Sequence, residues 1–241
     1  MVFSSPEFLF LFLPAVLGLF ALTQVMCPRA TKPLLIVASL VFYGWFEWAF
    51  VPLIVGSCIA NYVVGEQLAA RYAQGRMRDA GRMLFVGVAG NIALLGWFKY
   101  AGFIATAINE ASNLGVPVPQ IVLPIAISFF TFQQIAYLVD TYHGRAKGEG
   151  LLDYSLFVVF FPQLIAGPIV HHSQMVPQYK HLPDLGLASS SQVMSGLILI
   201  TLGLFKKIVI ADTIASWIDP AFARVTDLSM LDAWTVALGY S

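Results

Sequence analysis

Residues 155–170, Ser-Leu-Phe-Val-Val-Phe-Phe-Pro-Gln-Leu-Ile-Ala-Gly-Pro-Ile-Val, are apolar over a length suited to a lipid bilayer, yet Pro162, Gln163, Gly167 and Pro168 lie inside the run. A proline in a helix removes one backbone donor and clashes with the preceding turn. In hydrocarbon the freed backbone groups have no water to turn to, so broken backbone at membrane depth survives only against protein or a water-filled cavity. The segment is therefore expected to bend or re-enter the membrane and to wall a cavity.

Composition sets the class around that segment. Hydrophobic residues make up 59% of the 241 and charged residues only 11%, against about 25% charged in soluble domains. The reading is an all-α, polytopic integral membrane bundle with bent or re-entrant segments, embedded in the lipid bilayer. A formal net charge of zero gives no electrostatic reason to expect nucleic acid. Cys27 and Cys58 stand 31 positions apart without a CxxC pattern, so cysteine supports no metal site.

The apolar stretch Phe8 to Met26 is not preceded by Lys or Arg, and its 19 residues exceed the roughly 7–15 of a secretion-signal core. It reads as a retained first membrane helix. Further apolar segments follow at 33–63, 83–106, 121–139, 154–170 and 193–218, and a seventh begins near Leu231. The 24 residues from Met83 to Thr106 reach about 36 Å, enough to cross a core of roughly 30 Å with some tilt. Segment 33–63 is too long for one plain crossing. Pro33, Glu47 and Pro52 interrupt it, and the aromatic belt Phe42-Tyr43-Gly44-Trp45-Phe46-Glu47-Trp48 suggests two elements meeting at Glu47.

Loop charge orients these segments. Arg71, Arg76, Arg78 and Arg82 mark 66–82 as cytoplasmic, while 107–120 carries only Glu110 and faces outward. Arg145 and Lys147 then fall inside. Arg29 and Lys32 also point inside, which requires a hairpin over 33–63; a single tilted crossing is the alternative.

Polar groups within apolar runs admit two readings each. Lys206, Lys207 and Asp212 interrupt 193–218, either facing a wet pathway or snorkelling from a helix end. Lys99 reads as an interface residue. His171 and His172 follow the broken segment and read first as part of a polar exit loop; as histidines they are weaker candidates for acid or base chemistry. No zinc-ligand spacing accompanies them, so no metal is expected. There is no phosphate loop, GxSxG elbow or HExxH. Ser189–Ser191 fit a helix cap.

Three strings carry a resemblance: Leu123-Pro124-Ile125-Ala126-Ile127-Ser128-Phe129; Tyr137-Leu138-Val139-Asp140-Thr141-Tyr142-His143-Gly144; and Phe160-Phe161-Pro162-Gln163-Leu164-Ile165-Ala166-Gly167-Pro168-Ile169. Together with Trp97-Phe98-Lys99-Tyr100 and Phe205-Lys206-Lys207-Ile208-Val209-Ile210-Ala211-Asp212, they resemble the membrane-bound O-acyltransferase family, in its alginate O-acetyltransferase-like branch. The resemblance covers nearly the whole chain.

It implies a multi-pass enzyme of the bacterial inner membrane. Such an enzyme takes an acyl group from a cytoplasmic thioester, acetyl-CoA or an acyl carrier, with no bound cofactor. The acyl group goes to a hydroxyl of an extracytoplasmic polysaccharide such as alginate, alongside polysaccharide modification and export proteins. The family's Trp-Arg-Arg-Trp-His type motif, which carries the histidine base, has no counterpart before Ser241. Residues 1–241 are thus expected to be the N-terminal part of a single acyltransferase domain, inactive alone. Pro162, Gln163, Gly167, Pro168, Lys206 and Lys207 are expected to line the substrate tunnel. The competing class is a membrane transporter or scaffold subunit of an export system, for which broken helices and lysines in membrane segments are equally natural.

Overall fold

A computed structural model describes residues 2–112, 115–146, 149–165, 167, 170–222 and 228–240. It is 81% helical, with no strand among the described residues. Its helices are α1 (Leu13–Met26), α2 (Thr31–Gly44), α3 (Val51–Ala73), α4 (Met77–Ser112), α5 (Ile127–Tyr142), α6 (Leu151–Val159), α7 (Phe161–Leu164), α8 (His172–Lys180), α9 (Ser190–Leu204), α10 (Asp212–Phe222) and α11 (Met230–Tyr240). Among the described residues, Phe8–Met26, Trp48–Ala73, Met77–Ser112 and Ser190–Phe222 are long and apolar enough to cross a membrane. The protein is an all-α integral membrane bundle. It divides into two compact units, 16–186 and a second made of 1–15 with 187–241.

In the larger unit Glu47 splits 33–63 into two helices, as expected. Its backbone is extended (φ −163°) and its carboxylate accepts the Ala49 N–H at 3.4 Å, capping a short turn at Trp48–Phe50. Pro52 then occupies the first turn of α3, where a missing N–H costs little. Lys32, at the start of α2, pairs with Asp153 of α6 at 2.6 Å, and Tyr72, at the end of α3, lies against Gly144. Both ends therefore lie on one side, beside Asp153 early in α6 and Gly144 just past α5, so α2 and α3 form the hairpin rather than the single tilted crossing.

Two expected boundaries move. Segment 66–82 is mostly helix, because α3 runs to Ala73 and α4 starts at Met77. Gly75, at φ +70°, supplies the left-handed residue that lets so short a turn close. Segment 121–139 begins helical structure only at Ile127. Pro117, Pro119 and Pro124 disfavour helix in the residues before Ile127, and 115–124 are not helical. Lys147 lies outside the described residues.

Helices α3, α4 and α5 pack mutually, and α2 packs on α6 and α7. Close approach depends on two missing side chains. A β-carbon on Gly65 would collide with the Tyr137 ring, and one on Gly87 would meet Leu138 Cδ1 at 2.7 Å. Small residues at such contacts are the usual device for packing helices in lipid, where apolar burial drives little association. Phe42, Ile54, Leu68, Phe130, Leu138, Tyr154, Leu156, Phe157 and Leu164 are buried in this unit.

In the smaller unit a capping box starts α9. Ser189 Oγ accepts the Gln192 N–H at 3.3 Å, and Gln192 Oε1 accepts the Ser189 N–H at 2.8 Å, as the serine run suggested. The apolar stretch continues to Phe222 rather than ending at 218, passing through a π-helical segment at Phe205–Ala211. α11 packs on α10 through Gly239 and Ile218.

Candidate functional site

The apolar run 154–170 is not one helix. α6 ends at Val159 after nine residues, about 14 Å at 1.5 Å per residue. Phe160 then adopts φ −55°, ψ 112°, and α7 resumes for a single turn with Pro162 in its first positions. Protein groups satisfy the break. The Phe161 N–H donates to Ser39 Oγ of α2 at 3.1 Å, and Ser39 Oγ itself donates to Leu35 O at 2.7 Å. Gln163 Nε2 donates to Phe157 O, in the last turn of α6, at 2.6 Å. A side-chain amide thus takes over a carbonyl that the interrupted ladder leaves free.

Gln163 is buried, Pro162 is exposed and Gly167 is half-buried. Gln163 and Gly167 come together: Gly167 N–H donates to Gln163 O at 3.2 Å, and a β-carbon on Gly167 would run into the Gln163 backbone. Gln163 Oε1 is buried and has no hydrogen-bond partner among the described residues. An unmatched buried acceptor is costly, so the site retains an unused polar group. Pro168 lies outside the described residues.

Lys206 and Lys207 belong to the smaller unit, on its π-helical segment. Lys207 Nζ bonds both carboxylate oxygens of Asp212, at 2.9 and 2.6 Å. The i→i+5 winding stacks residues five apart, which matches this pairing. Both partners are about half exposed.

Two polar clusters of the larger unit escape sequence reasoning. His172 is the first residue of α8 and only 2% exposed. Its Nε2 faces the Glu149 carboxylate, and its ring sits 5.2 Å from the rings of Tyr137 and Phe157. Lys180 Nζ approaches the other Glu149 oxygen at 3.9 Å. The exit-loop reading therefore holds for exposed His171 but not for His172. No sequence spacing could have paired His172 with an acid 23 positions earlier, since the intervening chain had to fold back first.

The second cluster joins α3, α4 and α5. Asn61 Nδ2 donates to Gln134 Oε1 at 2.5 Å, Ser57 Oγ donates to the same oxygen at 2.7 Å, and Asn91 Nδ2 donates to Asn61 Oδ1 at 2.6 Å. Asn61, Asn91 and Gln134 are buried. Asn61 and Asn91 each sit alone within an apolar segment, which is the signal that could have marked them.

Comparison with curated proteins gives matches along the whole chain. It is 40% identical to the peptidoglycan O-acetyltransferase of Helicobacter pylori, 39% to the probable alginate O-acetylase of Pseudomonas aeruginosa and 38% to that of Azotobacter vinelandii. These alignments take in 100% of this chain and 50%, 45% and 47% of the respective relatives. The chain spans about half the length of the curated relatives it matches. No family model matches it, and no solved structure does. O-acetyltransferases align over the whole of this chain and its broken Phe-Phe-Pro-Gln segment is set among membrane helices, both consistent with the membrane-bound O-acyltransferase family.

Proposed function

We propose that this chain is the N-terminal part of one acyltransferase domain that moves an acetyl group from a cytoplasmic thioester to a hydroxyl of a polysaccharide outside the bacterial inner membrane. The observation that carries the reading is similarity, along the whole of this chain, to a peptidoglycan O-acetyltransferase and a probable alginate O-acetylase. The hydroxyl oxygen attacks the thioester carbonyl, the new ester bond forms as the carbon–sulfur bond breaks, and the thiol leaves. The hydroxyl proton must go to a base, since an alcohol is a poor nucleophile while protonated. The resemblance assigns that base to the family's Trp-Arg-Arg-Trp-His type motif, and no residue named here is given that role. Either acetyl-CoA or an acyl carrier would serve as donor.

The role of Gln163, Pro162 and Gly167 in this scheme is to border the passage along which the acyl group meets its acceptor. Support comes from the interrupted backbone at 160–161 and from the unmatched Gln163 Oε1. Both are features that an ordinary lipid-facing helix avoids. Lys206 and Lys207 are proposed as substrate-passage residues on the strength of their own place in a π-helical stretch, a distortion common at functional sites. Proteins of polysaccharide modification and export are the proposed partners.

Deleting the gene tests the proposal. The exported polysaccharide is then expected to release little or no acetate on mild alkaline hydrolysis, and the full-length protein supplied in trans is expected to restore it. Unchanged acetate in the deletion strain contradicts the assignment and favours a transport or scaffold role.

A further inference from the structure

The loop that sequence charge marks as cytoplasmic is, in the structure, a helical corner. Arg71 lies in the last turn of α3, Arg76 in the turn itself and Arg82 in the first part of α4. These three line a concavity of about 370 Å³ with Asp79, Met83 and Val86. Asp79 is its one carboxylate. It accepts from Arg76 Nε at 3.0 Å and Nη2 at 2.6 Å, and Arg82 Nη1 stands 3.8 Å away. Three guanidiniums against one carboxylate leave two positive charges unneutralised. The Arg82 side chain is 83% exposed, available to an outside anion.

Val86 also borders a second concavity, which runs on between α3 and α4 for about 450 Å³. Its walls are Gly56, Ala60, Val64, Gly90 and Leu94 together with Val86. Nothing lies within 4 Å of a β-carbon built on Gly56 or Gly90, so these glycines open the groove instead of packing against a neighbour. The polar groups at its floor, Ser57, Asn61 and Asn91, are hydrogen-bonded to one another or to Gln134 and the backbone. Their donors are already spent, which leaves an apolar slot. From Arg82 to Leu94 the groove extends about 18 Å along α4, slightly more than half of a hydrocarbon core of roughly 30 Å.

We propose that the arginine cup and the α3–α4 groove together bind one anionic phospholipid, with the phosphate on Arg71, Arg76 and Arg82 and one acyl chain along Gly56, Ala60 and Gly90. Charge and shape agree on this occupant. Guanidinium forks match phosphate oxygens, and basic pockets between membrane helices suit anionic headgroups. A leaflet-deep apolar slot opening directly from such a cup fits a molecule that joins a phosphate to a hydrocarbon chain. The site is independent of the acyl-transfer assignment.

Native mass spectrometry of the full-length protein, released from detergent with phosphatidylglycerol or with phosphatidylethanolamine of the same chains, tests it. Retention of phosphatidylglycerol is expected to exceed that of phosphatidylethanolamine. It is expected to fall at least about fivefold in Arg71→Ala and in Arg82→Ala. It is expected to persist in Arg78→Ala, which removes an equal charge from a residue outside the cup. Gly90→Leu, whose β-carbon meets nothing within 4 Å, is expected to lower retention without lowering the thermal midpoint. Three results would overturn the proposal. These are an equal loss in Arg78→Ala, wild-type retention in Gly90→Leu (the groove then being covered by another part of the protein), and displacement of the lipid by millimolar inorganic phosphate.

Discussion

Ser39 Oγ accepts the N–H of Phe161 at 3.1 Å, so a hydroxyl in the middle of α2 holds the first residue after the break in α6. Both residues are buried, and this is where the interrupted segment is tied to the bundle. The tie explains how a Pro-containing break is tolerated among membrane helices. The lost helical ladder is rebuilt from side chains, with Gln163 returning to Phe157 O on the other side of the gap.

Ser39→Ala is expected to lower the stability of the full-length protein by about 1–3 kcal/mol, because it removes the hydroxyl that accepts the buried Phe161 N–H. Ser39→Thr, which keeps the hydroxyl, should lose less. Thermal unfolding in detergent measures both, and an unchanged midpoint for the alanine variant would show that the tie contributes nothing.

Gly65→Leu is expected to cost at least about 1–3 kcal/mol, as its side chain must displace Tyr137 from the α3–α5 contact. Gly18→Ala is the control. Its β-carbon meets nothing within 4 Å, so exchanging a helical glycine there should be neutral or stabilise by up to about 1 kcal/mol.

Replacing Glu149 by Gln leaves His172 facing a neutral partner and Lys180 without its acid. Leaving a buried polar group without its partner costs about 1–3 kcal/mol, and the half-exposed Lys180 places this case toward the lower value. Combining Glu149→Leu with His172→Phe is expected to be less destabilising than the sum of the two single changes, and a double-mutant cycle reads the difference. Additive losses would mean that the two side chains do not interact.

Asn61→Leu is expected to destabilise by about 0.6–2 kcal/mol, the range for hydrogen bonds between helices in membranes. It removes a donor to Gln134 and an acceptor from Asn91 at once. Asn91→Leu should be similar, and the pair together should fall short of the sum. Equilibrium unfolding of the three variants is the measurement.

Much of this was legible in the sequence because prolines and membrane-length apolar runs act locally. Pro162 foretold the break, Glu47 with Pro52 foretold the α2–α3 corner, and arginine placement foretold that both ends of that hairpin share one side. What stayed hidden depends on where the chain returns. The helical start at Ile127 is fixed by the left-handed Ala126 (φ 60°) after a proline-rich approach that periodicity does not register. The seven-residue π-helical stretch around Lys206 and Lys207 changes only the pitch, not the apolar pattern. His172 looked like loop because the residues after it are polar, and only folding of α8 against α5 and α6 buries it against Glu149. The Ser39 hydroxyl gave no sign of its role, since its partner lies 122 positions away.

The most direct test of acyl transfer is made in vesicles holding the full-length protein, a labelled acetyl thioester on the side bearing Arg71 and Arg82, and polysaccharide acceptor on the other. Label is predicted to appear as an alkali-labile ester on the polysaccharide, with Gln163→Ala lowering the rate about tenfold or more at equal protein. Label that crosses the membrane without becoming esterified, or that stays with its thioester while the protein is folded, would contradict the account.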